Sequence, residues 1–146
     1  MTPDDAVLIA QLRIDEGVRY EPYLDTVGIP TVGVGHNLQA KPLPDGWDYP
    51  LTDEQVDQLL ADDLQEVFDG LDARLAWWRT LDIDRQRVMA NMAFNLGLKG
   101  LLGFNNTLAA IQQGRYSAAG SGMMASRWAT QVGARADRLA DVMVNT

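Results

Sequence analysis

The chain has 146 residues, with 47% hydrophobic and 22% charged side chains, which is typical of one globular domain and excludes a disordered chain. It has no cysteine and one histidine, which excludes disulfides, cysteine zinc sites and a two-histidine metalloprotease helix. The net charge of −8 disfavours nucleic-acid binding. The charge is unevenly distributed, because residues 1–73 hold 16 acidic and 3 basic side chains, whereas residues 74–146 hold 4 acidic and 9 basic ones.

The N-terminal segment carries the signals of a helix. Thr2 supplies a capping hydroxyl, Pro3 suits the first helical position, and Gly17 is typical of a helix end. Apolar residues between them keep roughly helical spacing and predict a buried face: Val7, Leu8, Leu12 and Ile14. Acidic residues stand where a secretory signal has basic ones, and no apolar run is long enough to span a bilayer, so we expect no signal peptide and no stable membrane insertion.

Residues 18–36 change to strand character, because tyrosine, isoleucine and valine alternate there with aspartate and glycine turn residues. We predict a small, twisted antiparallel sheet, which Pro22 and Pro30 restrict to short or edge strands. Prolines and a glycine then predict a loop over residues 39–50.

The rest of the chain is predicted to be helical. Thr52 and Gln55 form a capping box that begins a helix, whose apolar face holds Val56, Leu59, Leu60, Leu64 and Val67. A break is expected around Gly70–Trp78. Four further helical patterns follow, the first with the broad apolar stripe of a buried central helix, at 83–96, 105–113, 116–126 and 133–144.

These elements predict a single α+β domain over residues 1–146. A small N-terminal lobe, about 12–60, would hold the short antiparallel sheet. A larger, mainly helical C-terminal lobe, about 70–146, would have the N-terminal helix packed on it. A cleft between two such lobes is a common place for a ligand site.

Because the chain has no cysteine and a single histidine, carboxylates are the catalytic groups that its composition favours. Hydrolysis of a glycosidic bond needs one protonated carboxyl group to donate to the leaving oxygen, and one ionised group to activate water or stabilise positive charge. Glu16 lies at the expected helix end and Asp25 in the following turn, so a returning hairpin can bring them to opposite sides of one groove. The spacing alone is weak evidence for a site and favours two solvated surface acids.

Three ungapped strings around these acids closely resemble phage lysozymes of the T-even type: LRIDEG at 12–17, YLDTVG at 23–28 and TVGVGHNL at 31–38. The similarity continues in family order through NMAFNLG at 91–97, GFNNTL at 103–108, SRW at 126–128 and GARA at 133–136. The resemblance implies the lysozyme-like fold of glycoside hydrolase family 24. It also implies the activity of an endolysin: hydrolysis of the β-1,4 bond between N-acetylmuramic acid and N-acetylglucosamine in peptidoglycan.

The resemblance assigns the catalytic roles to three residues. Glu16 matches the general acid of that family, whereas Asp25 and Thr31 match the residues that position the attacking water. The family is described as inverting, which requires space for water between the two carboxyl groups. The resemblance implies no cofactor and no metal.

Further residues match supporting positions of the family. Those assigned to the substrate groove are Gly35, Asn95, Phe104, Thr107 and Arg135. The family commonly has glutamine where Asn95 stands, and Thr107 also fits a helix cap. His36 and Asp63 match a buried pair with a structural role. Gly120 and Gly122 stand inside a predicted helix, at a cost of about 0.8–1.0 kcal/mol each relative to alanine.

The resemblance also implies where such a protein acts. We expect a monomer that is made in the host bacterial cytoplasm, binds peptidoglycan glycan strands and no nucleic acid, and reaches the wall through a holin-type pore. Two alternatives stay open: a peptidoglycan-binding or structural phage protein without turnover, and a transglycosylase that forms an anhydro product without water. The intact trio favours an enzyme, and retention of Asp25 and Thr31 favours hydrolysis.

Overall fold

The computed structural model describes all 146 residues, which form a three-stranded sheet, seven α-helices and one 3₁₀ helix. The elements in chain order are α1 (Ala6–Glu16), β1 (Arg19–Leu24), β2 (Pro30–Gly33), β3 (His36–Asn37), α2 (Asp53–Arg74), the 3₁₀ helix (Ala76–Thr80), α3 (Ile83–Leu102), α4 (Asn105–Gln112), α5 (Tyr116–Met124), α6 (Arg127–Val132) and α7 (Ala134–Asn145). The predicted α+β class, with a small antiparallel sheet and a helical majority, is confirmed.

The chain divides into two compact units, Thr2–Glu66 and Val67–Thr146, and Met1 belongs to the second. The division falls inside α2, so one continuous helix contributes residues to both units. None of the helices combines the length and the apolar character needed to cross a membrane.

Helix α1 begins later than the sequence predicts. Its N-cap is Asp5, whose carboxylate accepts the backbone N–H of Leu8 at 2.8 Å, whereas Thr2 lies in a turn before it. The prediction for the other end is confirmed, because Gly17 has a φ of 75° and donates its N–H to the carbonyl of Arg13. Of the predicted apolar face, Leu8 and Leu12 are buried, whereas Val7 and Ile14 are exposed.

The sheet has the order β1–β2–β3 with both pairs antiparallel, so β1 is an edge strand. Tyr23 pairs with Thr31 and Leu24 with Pro30, and the β1–β2 register shifts between Arg19 and Tyr23. Pro22 lies in this irregular stretch, where the strands make no regular hydrogen bond that would need the N–H group that proline lacks. The predicted restriction to short and edge strands is therefore confirmed.

Helix α2 starts with the predicted capping box: Gln55 N–H donates to Thr52 Oγ1 at 3.1 Å, and Thr52 N–H donates to Gln55 Oε1 at 3.0 Å. The break expected around Gly70–Trp78 falls after Arg74, where the helix ends, so Gly70 itself lies inside α2. A Cβ at Gly70 would lie 3.1 Å from Leu98 Cδ2, so this glycine allows close packing against α3.

The second unit follows the predicted helices with two differences. Helix α3 extends to Leu102, but Gly97 interrupts it with a φ of 74° and a ψ of 160°, directly after the end of the helical pattern predicted at 83–96. Helix α6 was not predicted, because its six residues are too few to show a helical period. Ser126 caps α6 by accepting the backbone N–H of Ala129 at 3.2 Å.

The glycines inside α5 are packing contacts. A Cβ at Gly120 would lie 2.3 Å from Val144 Cγ2 on α7, and a Cβ at Gly122 would lie 2.3 Å from Thr107 Oγ1 on α4. Both glycines therefore let α5 approach its two neighbours closely, which accounts for their place in a helix despite their low helix propensity.

Candidate active site

Glu16 is the last residue of α1, and its side chain lies against the backbone of Gly35. A Cβ placed at Gly35 would meet Glu16 Oε1 at 3.0 Å and the carboxyl carbon at 3.2 Å. Gly35 also has a φ of 63°, a conformation that other residues adopt only with strain. A glycine at position 35 therefore leaves the Glu16 carboxyl group half-buried but unobstructed on this side.

Asp25 lies in the turn between β1 and β2, and the turn holds its carboxylate. Its Oδ1 accepts two backbone N–H groups, from Val27 at 2.9 Å and from Ile29 at 2.8 Å. The backbone of the turn closes in parallel, because Gly28 N–H donates to the carbonyl of Asp25 at 3.0 Å. These bonds engage one carboxylate oxygen and leave Oδ2 able to accept from a bound molecule.

Thr31 lies in β2 and is buried. Its hydroxyl donates to the carbonyl of Ile29 at 2.8 Å, which fixes the hydroxyl proton on the protein. The lone pairs of Thr31 Oγ1 are then the part of this group that a bound water can use, so Thr31 acts toward that water as an acceptor.

Tyr23 interacts with all three predicted catalytic residues, although the sequence alone predicted only that it lies in a strand. It is the cross-strand partner of Thr31, so the two side chains share one face of the sheet. Burial raises the pKa of the Tyr23 hydroxyl, and the negative charges of Glu16 and Asp25 raise it further against the opposing charge of Arg19. The pairing of a strand tyrosine with a threonine was not visible without the register.

His36 is almost fully buried and uses both ring nitrogens. Nδ1 lies 2.7 Å from Asp63 Oδ2, and Nε2 lies 2.8 Å from the carbonyl of Lys41. Burial acts to lower the pKa of His36, but the hydrogen bond and the charge of Asp63 outweigh it and raise the pKa above the ordinary value. The structure thus brings together the two residues of the predicted structural pair, and it attaches β3 to α2.

The remaining predicted groove residues lie in the second unit. Asn95 Oδ1 accepts the indole N–H of Trp128 at 2.7 Å, and the Phe104 ring packs edge-on against Trp128 with centroids 6.2 Å apart. Arg135 is buried, and its Nε donates to Asn91 Oδ1 at 2.9 Å.

Thr107 is buried within α4 and does not cap it, since that helix begins at Asn105 with Phe104 in the cap position. The helix-cap alternative for Thr107 is therefore wrong, and its hydroxyl instead lies close to Gly122.

The predicted site residues therefore form two groups. Those of the first unit are Glu16, Asp25, Thr31, Gly35, His36 and Asp63, and those of the second are Asn95, Phe104, Thr107 and Arg135. The structure contains no group of three or more histidine, aspartate or glutamate side chains arranged to hold a metal ion. Sequence reasoning missed Tyr23 and Trp128, whose partners depend on strand register and on helix packing.

Comparison with known proteins points to one family. The phage lysozyme family model matches residues 13–141 of the chain. The chain is 29% identical to the pre-baseplate central spike protein Gp5 of Enterobacteria phage T4 over 91% of its own length, but it spans only 27% of that protein. It is 26% identical to a probable T4-type lysozyme of Dictyostelium discoideum, with 90% of both chains covered. It is 30% identical to the endolysin of Salmonella phage P22, over 65% of this chain and 64% of that one.

Proposed function

Because the chain belongs to the phage lysozyme family, a family of glycoside hydrolases, we propose that it hydrolyses the β-1,4 bond between N-acetylmuramic acid and N-acetylglucosamine in bacterial peptidoglycan. The observation that carries the proposal is the arrangement around Ile29. Its N–H holds Asp25 and its carbonyl holds Thr31, so that one oxygen of each side chain stays available to a water molecule.

Glu16 is the proton donor in this proposal. Its carboxyl group must be protonated to transfer a proton to the glycosidic oxygen as the bond to the leaving sugar breaks. The absence of a side chain at Gly35 lets the Glu16 carboxyl group lie against the backbone at that position. The donor thus stands at a helix end, where the backbone positions it.

Asp25 and Thr31 handle the attacking water. A water that donates one hydrogen bond to Asp25 Oδ2 and the other to Thr31 Oγ1 has its oxygen lone pair directed at the anomeric carbon. Asp25 takes up the proton as the new bond forms, and Thr31 keeps the water oriented. Attack by water from the face opposite the leaving group inverts the anomeric centre.

The proposed biological role is that of an endolysin. The monomeric protein would be made in the host cytoplasm, reach the wall through a holin-type pore, and lyse the cell by cutting glycan strands. The similarity to the P22 endolysin supports this role.

The test compares purified wild-type protein, Glu16→Gln and Glu21→Gln on outer-membrane-permeabilised bacteria, with turbidity as the readout. Glu21 is an exposed acid in the neighbouring strand and serves as the matched control. We expect clearing by the wild type and the control, and a rate lower by about 10²-fold or more for Glu16→Gln, the usual contribution of a general acid.

Product analysis separates the reaction types. Hydrolysis leaves a reducing N-acetylmuramic acid end, whereas a transglycosylase leaves an anhydro end. Absence of clearing by the wild type would overturn the enzymatic function and favour a binding module. Full clearing by Glu16→Gln would remove this residue from the donor role.

A further inference from the structure

The first unit, Thr2–Glu66, is strongly acidic, with 14 acidic side chains and 3 basic ones. Two of the three cations are engaged by carboxylates: Arg13 contacts Asp57 at 3.4 Å, and Lys41 pairs with Glu66. The Arg19 guanidinium group has no carboxylate partner and makes no hydrogen bond within the protein. It is therefore the one cation of this unit that no carboxylate contacts.

Arg19 is held beside the proposed catalytic residues. Its guanidinium carbon lies 4.6 Å from the centroid of the Tyr23 ring, a cation–π contact that uses the face of the guanidinium group. The N–H donors lie in the plane of that group, so stacking leaves their fork available to a carboxylate. Tyr23 in turn pairs with Thr31 across the sheet.

The Tyr23 hydroxyl adds a second donor. It makes no hydrogen bond within the protein. Burial and the charges of Glu16 and Asp25 raise its pKa, so it stays protonated at neutral pH and presents an O–H group. A fixed guanidinium group and a neutral phenol together form a recognition element for an anionic oxygen ligand.

We infer that Arg19 and Tyr23 form a subsite that binds a carboxylate of the peptide attached to the lactyl group of N-acetylmuramic acid. This inference rests on the proposed function, since it names the part of peptidoglycan that this side of the site recognises. The substrate carries the required chemistry, because its stem peptides bear free carboxylates while its sugars are neutral. An unpaired guanidinium group also offsets, at one point, the repulsion between an acidic unit and an anionic polymer.

The inference predicts that the protein distinguishes peptide-bearing glycan from glycan without peptides. The probes are soluble, uncross-linked peptidoglycan strands and the same strands after removal of the stem peptides by an amidase and conversion of the lactyl carboxylates that this exposes to neutral carboxamides. Binding is measured in the Glu16→Gln background, where the strands are not consumed, with and without Arg19→Gln. Arg13→Gln in the same background is the matched control, since it removes an equal charge from the same unit.

We expect Arg19→Gln to weaken binding of peptide-bearing strands by about tenfold, the size of one lost charge-assisted hydrogen bond. Binding of peptide-free strands should stay within about twofold, and Arg13→Gln should bind both like its parent. The selective loss should also diminish as salt is added, because the contact is ionic. Tyr23→Phe should weaken binding of peptide-bearing strands by a smaller factor.

Equal loss on both polymers, or no loss on either, would overturn the subsite. The same result from Arg13→Gln as from Arg19→Gln would also overturn it, because the effect would then be one of overall charge. Failure of the proposed function is read separately, as the absence of turnover by the wild type. Circular dichroism of each variant establishes that the binding data refer to folded protein.

Discussion

Asp25 and Thr31 are fixed by the backbone of one residue, Ile29, whose N–H donates to Asp25 Oδ1 at 2.8 Å and whose carbonyl accepts from Thr31 Oγ1 at 2.8 Å. A shift of this residue therefore moves both side chains together. The consequence is that the spacing between the carboxylate and the hydroxyl depends on the conformation of the short turn, which Gly28 closes with a φ of 83°.

The first prediction concerns the Thr31 hydroxyl. Thr31→Val keeps the shape of the side chain but removes the oxygen that would hold the water, so kcat should fall by about 10²-fold, as expected when a reacting group is misplaced. The lost hydrogen bond to Ile29 should also lower the free energy of unfolding by about 1 kcal/mol. Turbidity assays and urea denaturation measure the two effects.

Thr31→Ser is the matched control, because it keeps the hydroxyl and removes one methyl group. We expect it to retain most of the wild-type kcat. Equal activity of the serine and valine variants would show that the hydroxyl has no part in handling water.

The second prediction concerns Gly35. Gly35→Ala places a methyl group 3.0 Å from Glu16 Oε1 in a left-handed backbone conformation. It should destabilise the protein by about 1–2 kcal/mol and displace the Glu16 carboxyl group, with a large loss of kcat. Activity and thermal unfolding are measured together.

Gly46→Ala separates the two effects. Gly46 has a φ of 85°, but a Cβ there would meet nothing within 4 Å. This variant should lose similar stability and keep its activity. An equal activity loss in both variants would mean that backbone strain, and not the contact with Glu16, is responsible.

The features that sequence alone predicted are those set by neighbours along the chain. The capping box of Thr52 and Gln55 and the helix end at Gly17 depend on residues within four positions. The proposed catalytic trio is identified from its resemblance to a family motif, since the spacing of Glu16 and Asp25 alone favours two solvated acids.

The features that sequence did not predict depend on contacts between distant segments. Gly70 reads as a helix break, but it is a contact for Leu98, 28 positions further along the chain. Tyr23 reads as an ordinary strand residue until the register places it opposite Thr31. Neither Leu98 nor Thr31 can be identified as a partner from helix or strand propensity, because propensity describes a single residue and not the residues it packs against.

The third prediction is a dependence of stability on pH. The pKa of His36 is raised in the folded protein above its ordinary value of 6.5, because the hydrogen bond and charge of Asp63 outweigh burial. The stabilisation is therefore fully present below pH 6.5 and is lost as the pH rises through the folded pKa. Thermal unfolding from pH 5 to 9 should show a decline above neutrality.

Asp63→Asn removes the charge that favours protonated His36 and should flatten this decline. Asp62→Asn, a change at an exposed neighbouring acid, should leave the slope as in the wild type. A slope that persists in Asp63→Asn would assign the pH dependence to groups other than His36.

The fourth prediction concerns Gly122 on α5. Alanine is favoured over glycine in a helix by about 0.8–1.0 kcal/mol, so Gly122→Ala would stabilise an isolated helix. In the folded protein a Cβ at this position would lie 2.3 Å from Thr107 Oγ1, and α4 or Thr107 must shift to admit it. We therefore expect Gly122→Ala to lower the thermal unfolding temperature despite its better helix propensity.

The double variant Gly122→Ala/Thr107→Ala tests the cause. Removing the Thr107 hydroxyl takes away the opposing atom, so the double variant should be more stable than the sum of the two single changes predicts. Additive effects would mean that the two positions do not compete for space. Close packing of α4 against α5 would then not explain why a residue of low helix propensity occupies position 122.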